Sequence, residues 1–396
     1  MHLLRLVSIY SQLLLCSATT LPLIRRSYNG TTSPMISTEF GTVFDVEVTV
    51  GNQSFQLLVD TGSSDTYVMK TGFQCINATN NLEIPEADCL YSPKAYNISD
   101  TYRKIPDQIF GIEYGAGIAS GVMAYEDVTL GGITVKNQKV GIADRSNPMG
   151  DGVNSGLLGL GYPALTSAHP SNTSNSSYWY DRIVYNPLFT NMYEQGLVAP
   201  YFSLALARTA QNSSTGFGGY LSLGTLPPVP HSDFSIVPVE ILDNIPLNYT
   251  SGKRVRSYWA LTVSGATYGS STNSTPFQAF VDSGNYISYL PSAIANSVNA
   301  LFEPPARYDA SLGAYVVDCT AKAPSFGLQI GNQTFFHNGA DMIYQTGEGI
   351  CISSVAASEN VGIEGLTLNI IGVPFLKNVV AVFDFGWNEM RFAKLK

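Results

Sequence analysis

Two segments of this chain carry an aspartate in matching surroundings. Residues 55–68 read FQLLVDTGSSDTYV and residues 277–290 read FQAFVDSGNYISYL. Laid together without gaps, Phe, Gln, Val, Asp, Gly and Tyr coincide, so Asp60 and Asp282 hold the same place in two copies. Hydrolysing an amide requires an activated water and a protonated leaving nitrogen. One carboxylate can act as the base while a neighbouring carboxylic acid supplies the proton. Two carboxyls held close do not both ionise easily, so they share a proton and titrate as a pair. A lone Asp-Thr/Ser-Gly tripeptide is an ordinary turn. Two of them inside matching flanks point to a dyad.

Such a dyad needs rigid placement, because a small displacement of a catalytic group costs rate. Each aspartate ends a short apolar run and precedes another β-prone run, which predicts strand, tight loop, strand. Gly62 and Gly284 let the backbone come close to the carboxylates. Thr61 and Ser283 offer hydroxyls able to brace one loop against the other, with Ser63 and Asn285 completing the two loops. Downstream, GLLGLG at 156–161 and IIGVPF at 370–375 each place two bulky aliphatics before a Gly. The order recurs, so the chain is expected to form two lobes of similar design facing across a cleft. Residues 27–228 and 229–396 are the expected lobes, joined near Leu226 to Ser232, where Pro227, Pro228 and Pro230 cluster.

The 396 residues are 45% hydrophobic and 13% charged, which suits a sizeable core and excludes a disordered chain. Plentiful Gly (36), Tyr (23) and Phe (19) favour an all-β fold with many turns and few, short helices. The net charge of −9, with no basic stripe, excludes nucleic acid as a partner. That acidity serves solubility, and in an acidic medium it leaves few basic groups to repel one another. No cofactor or metal is implied. Gly159-Leu160-Gly161 lacks the rest of a nucleotide fingerprint, and neither CxxC nor HExxH occurs. Serine chemistry is disfavoured, because there is no GxSxG segment and His169, His231 and His337 sit in no recognisable setting. His169 is expected on an exposed, glycosylated loop.

Several features predict export. Arg5 and the apolar stretch from Leu3 to Cys16 read as a signal peptide over residues 1–18, cleaved after Ala18. The stretch is too short to span a bilayer and no later run is apolar enough, so no membrane span is expected. Residues 19–26 form a short candidate prosegment ending in the dibasic Arg25-Arg26, with the mature chain beginning at Ser27. Glycosylation sequons begin at Asn29, Asn52, Asn77, Asn97, Asn172, Asn175, Asn212, Asn248, Asn273 and Asn332, and each should lie on the surface. Once the signal is removed, Cys75, Cys89, Cys319 and Cys351 allow three disulfide connectivities. Local pairing, Cys75–Cys89 and Cys319–Cys351, places one bridge in each half.

From about Phe40 to the C-terminus the chain resembles the pepsin-like aspartic peptidases. The resemblance rests on Asp60-Thr61-Gly62-Ser63-Ser64 and Val281-Asp282-Ser283-Gly284, on Tyr258-Trp259, and on the closing segments Ile371-Gly372-Val373-Pro374-Phe375 and Val382-Phe383-Asp384. It implies the pepsin-like acid protease fold, with Asp60 and Asp282 catalytic. It also implies a β-hairpin flap over the cleft, here Ile112 to Gly117, with Tyr114, Gly115, Ala116 and Gly117 at its tip and Tyr67 packed beside or bonded to Tyr114. Leu157 is a further candidate for lining the pocket. Three departures stand out. Asn285 replaces a small hydroxyl residue that donates to the nearby carboxylate, Val373 replaces a frequent Asp, and the prosegment is short. The expected activity is an endopeptidase acting on peptide or protein substrates as a secreted, or vacuole-like, monomer, favouring acidic pH and hydrophobic residues beside the scissile bond. A non-catalytic binding relative and a structural surface glycoprotein are the rival readings. Neither needs two buried, coupled acids.

Overall fold

The computed structural model describes residues 30–173, 178–209, 213–346, 349–361 and 366–396. The expected signal and prosegment, together with Asn29, Asn175 and Asn212, lie outside the described residues. Among the described residues the chain is mostly β-strand, with three short α-helices, Leu188–Glu194, Ser292–Ala300 and Val373–Leu376.

Alternation makes the strands. In Gln53–Asp60, Phe55, Leu57 and Val59 point to one buried face, the two-residue period of a pleated strand. This strand pairs antiparallel with Val43–Val50 through a tight turn in which Gly51 takes a positive φ of 62°. The repeat seen in the sequence is also a repeat of topology. Gln53–Asp60 runs parallel to Gly156–Gly159, with Asp60 opposite Gly159, and Thr66–Ile76 flanks the latter antiparallel. Phe277–Val281 likewise runs parallel to Ile370–Ile371, and Ser288–Leu290 flanks that antiparallel. The two Gly positions are set by close packing. A Cβ on Gly159 would fall 2.5 Å from the Ser64 carbonyl carbon, and one on Gly372 would fall 2.3 Å from the Ile287 oxygen.

Three sheets organise the described residues. The largest runs through both halves, because Tyr201–Leu206 pairs antiparallel with Val379–Asp384, which continues to Glu389–Lys394 and Ser235–Pro238. The segment predicted as a linker runs along this last part, with the Lys396 amide donating to the Pro230 carbonyl at 3.1 Å and Ser232 to Lys394 at 2.9 Å. Aromatic rings fill the core where the halves join. Phe202 stacks on Phe383 at 4.8 Å, and Trp259, fully buried, meets Phe385 at 4.7 Å. Full burial of each such ring stabilises the fold by about 1.5–3 kcal/mol.

Both disulfides form as expected from local pairing, Cys75–Cys89 and Cys319–Cys351. Among the described sequons, Asn52, Asn97, Asn172, Asn248 and Asn332 are exposed and Asn77 and Asn273 partly so. The expectation for His169 is overturned. It is fully buried in the strand Ala168–Pro170, opposite Ile109 of Arg103–Tyr114, with Nε2 in a 2.8 Å hydrogen bond to the Gly111 carbonyl. The Ser/Asn-rich run reaches the surface only beyond Pro170, and the residues before it extend a sheet edge. Among the described residues no helix is long and apolar enough to cross a membrane.

Candidate active site

The two strand–loop–strand units meet loop against loop. Asp60 closes the strand Gln53–Asp60 and is 5% exposed; Asp282 follows Phe277–Val281 and is partly exposed. In each loop the glycine two residues on donates its amide to the aspartate, Gly62 to Asp60 Oδ1 at 2.7 Å and Gly284 to Asp282 Oδ1 at 2.8 Å. The loops also require glycine across the interface. A Cβ on Gly62 would fall 2.5 Å from Asp282 Cγ, and one on Gly284 would fall 2.7 Å from Asp60 Oδ1. Between the loops, Thr61 and Ser283 exchange hydrogen bonds with each other and with the strands behind, all four groups buried.

The two carboxyls lie within hydrogen-bonding reach of one another and perturb each other. Burial pushes Asp60 up, opposed by the Ser63 hydroxyl and the Gly62 amide. Asp282 is pushed well above the usual carboxylate range, first by burial and then by the charge on Asp60. The loops differ in one respect. Ser63 Oγ donates to Asp60 Oδ2, whereas the Asn285 side chain turns away and accepts from the Ile287 amide at 3.4 Å. Asp282 therefore lacks the hydroxyl donor that Asp60 has.

The hairpin predicted as a flap is present. Arg103–Tyr114 pairs with Gly117–Leu130, Tyr114 opposite Gly117, with Gly115 and Ala116 at the exposed tip. A Cβ on Gly115 would fall 3.4 Å from the Val361 carbonyl, so the tip reaches the other half of the molecule. Burial, followed by the charges of Asp60 and Asp65, pushes the Tyr114 hydroxyl up, and this buried hydroxyl has no well-formed hydrogen bond among the described residues. Tyr67 is buried against Phe110 at 5.1 Å and lies next to the Tyr114 hydroxyl. Leu157, 5% exposed, packs in the same apolar cluster as Tyr67, Phe110 and Ile112, with Tyr114 at its edge.

A family assignment now has its geometry. Residues 43–395 match the profile of the eukaryotic aspartyl protease family. This chain belongs to that family. The protease is 40% identical over 373 residues to a probable aspartic-type endopeptidase of Aspergillus fumigatus, covering 91% of this chain and 80% of that one. It is 31% identical to rhizopuspepsin of Rhizopus chinensis, covering 91% of this chain and 81% of the relative. The aspartic proteinase from Irpex lacteus shares the fold, with a TM-score of 0.70 at 22% identity over 93% of this chain and 98% of that structure. The protein is thus an aspartic endopeptidase that hydrolyses peptide bonds.

Sequence reasoning missed part of the protease's surroundings. Asp65 is fully buried and accepts the Ser167 amide at 2.9 and 3.0 Å and the Tyr185 hydroxyl at 2.5 Å; burial pushes its pKa up, opposed by these bonds and by the charge of Arg182. Its signal was an acid inside a β-prone run. The Tyr91 hydroxyl, beside Tyr67 and bonded to Ser146 Oγ at 3.0 Å, comes from a loop with no motif. Trp259 had been noted only for its resemblance. Its indole donates to the Leu160 carbonyl at 3.0 Å and so ties one repeat to the other.

Proposed function

We propose that Asp60 and Asp282 are the catalytic dyad, Asp60 ionised and Asp282 protonated, in the cleft between lobes 27–228 and 229–396. The observation that carries this reading is the reciprocal seating of the two carboxyls, each against the other loop's glycine, with Asp282 raised by burial and by the charge of Asp60. Asp60 takes a proton from water as the water oxygen attacks the peptide carbonyl carbon, and Asp282 gives its proton to the carbonyl oxygen. The C–N bond then breaks as the proton on Asp60 passes to the nitrogen, and Asp282 recovers its proton from the diol. Gly62, Gly284, Thr61, Ser63 and Ser283 position the pair. Tyr114 and the hairpin tip cover the substrate and exclude water.

A dyad that must keep one proton favours acidic pH. The apolar cluster of Tyr67, Phe110, Ile112 and Leu157 beneath the hairpin supports a preference for hydrophobic residues beside the scissile bond. The leader over residues 1–18 and the surface sequons support secretion, and one chain supplying both aspartates supports a monomer. The test is cleavage of an unfolded protein across acidic to neutral pH by the parent, Asp60→Asn and Asp282→Asn. Each variant should keep its melting transition and lose activity by roughly 10²–10⁴-fold. A folded variant within tenfold of the parent would overturn the assignment.

A further inference from the structure

Beside the far end of the Asp282 loop, a cavity of about 110 Å³ lies where residues from both halves meet, among them Thr42, Arg208, Tyr286, Ser354 and Lys377. Its charges do not balance. Asp341 is engaged in full, held by Arg208 Nε and Nη2 at 3.0 and 2.6 Å and by the Asn378 amide at 3.0 Å. Lys377, 8% exposed, makes no side-chain hydrogen bond among the described residues and lines the cavity. Burial pushes the Lys377 ammonium below its ordinary range, an effect opposed by the attraction of that same Asp341 and reinforced by repulsion from Arg208. Two cations therefore share one carboxylate. His337, buried beside Asp341, is held toward its neutral form by burial and supplies no negative charge. A further carboxyl, Glu39 near Tyr344, is pushed toward its neutral form by burial and by Asp151.

A second observation points the same way. Ser354, 1% exposed, lines the cavity, and its buried hydroxyl has no hydrogen-bond partner among the described residues. A buried hydroxyl left unpaired costs stability. Lys377 follows the single helical turn Val373–Leu376, whose terminal carbonyls attract a cation. That attraction accounts for a lysine at this position, but not for the orphan hydroxyl or for an ammonium beside open space.

We propose that this cavity binds a small oxyanion, of the size of phosphate or a short dicarboxylate, against Lys377, Arg208 and Ser354. The ligand supplies the missing negative charge and accepts from the Ser354 hydroxyl. Because its partners come from both halves, binding favours the assembled fold.

The probes are inorganic phosphate and oxalate, titrated at pH 5 with ionic strength held by sodium chloride while the melting temperature is followed. The parent should show a saturable rise of about 2 °C with at least one of them. Response to phosphate alone assigns an inorganic anion, and response to oxalate alone assigns a carboxylate. Lys377→Met should abolish the rise and keep peptide cleavage, and Ser354→Ala should weaken the midpoint severalfold. No saturable rise in the parent, or an equal rise in Lys377→Met, overturns the proposal. Should Lys377→Met fail to fold, an unchanged midpoint in Ser354→Ala overturns it instead.

Discussion

Thr61 and Ser283, 222 residues apart, hold each other by the same hydrogen bonds with roles exchanged. The Thr61 amide donates to Ser283 Oγ at 3.0 Å, and the Ser283 amide donates to Thr61 Oγ1 at 2.9 Å. Each hydroxyl then donates onward to the opposite strand, Thr61 to the Val281 carbonyl at 2.9 Å and Ser283 to the Val59 carbonyl at 2.7 Å. Both hydroxyls donate and accept, and the two aspartates inherit a separation fixed by short buried side chains bonded to backbone on both sides.

Removing one hydroxyl should therefore harm both fold and rate. Ser283→Ala strands the Thr61 amide and the Val59 carbonyl in a buried place, at a cost of about 2–4 kcal/mol in unfolding free energy. In the fraction that stays folded, kcat should fall by roughly 10–100-fold through misplacement of the dyad, with KM little changed. Denaturant titration and steady-state kinetics on a hydrophobic peptide check both. A stable variant with normal kcat would mean that the loops are fixed by other contacts.

The unequal loops give a prediction about pH. Ser63 donates to Asp60, while Asn285 does not donate to Asp282, which burial and the charge of Asp60 push upward. Asn285→Thr should place a hydroxyl donor beside Asp282. A hydrogen bond to the ionised form favours that form, so the Asp282 pKa falls and the dyad loses its shared proton at lower pH. The alkaline limb of kcat/KM should move toward acid, with activity at the parent's alkaline midpoint lowered about threefold. A shift toward neutral pH would contradict this sign.

The hairpin tyrosine separates two contributions. The Tyr114 hydroxyl has no well-formed partner among the described residues, whereas its ring packs against the apolar cluster that contains Tyr67. Tyr114→Phe should then cost kcat/KM only about 2–5-fold, and Tyr114→Ala roughly 10–100-fold through loss of cover over the reacting atoms. Equal losses in the two variants would place the chemistry on the hydroxyl.

The aspartate loops were legible because the chain states them twice. Matching flanks around Asp60 and Asp282, and the downstream Gly159 and Gly372, predict two strand–loop–strand units, and the structure pairs each with its own parallel strand. The disulfides were legible for a similar reason, since the cysteines fall as one neighbouring pair in each half. What was hidden depends on burial created by distant chain. His169 lies beside a Ser/Asn-rich run yet completes a sheet edge. Asp65, Tyr185 and Arg182 converge from separate segments that share no motif. Asp45 was hidden by alternation itself. In Val43–Val50 the apolar Phe44, Val46, Val48 and Val50 share one face, which assigns Asp45 and Glu47 to solvent. Glu47 is indeed exposed, but Asp45 is fully covered.

That covered acid predicts how stability depends on pH. Asp151 and Asn154 lie against Asp45, and burial followed by the charge of Asp151 pushes its pKa well above the usual range. Below the unfolded-state pKa of about 3.9 both states hold the proton and Asp45 contributes no pH dependence. As pH rises past that value the unfolded chain releases the proton while the folded chain keeps it, so the folded state binds more protons and stability falls until the folded pKa is passed. The raised Asp60, Asp65 and Asp282 act with the same sign, so the melting temperature should decline from pH 4 toward neutrality. Asp45→Asn removes one proton from this linkage while keeping shape. Its melting temperature should exceed the parent's by about 2 °C or more at pH 7 and match it near pH 3.5. A gain of equal size at both values would mean that Asp45 acts by packing, and a loss at pH 7 would mean that its carboxylate is stabilising when charged.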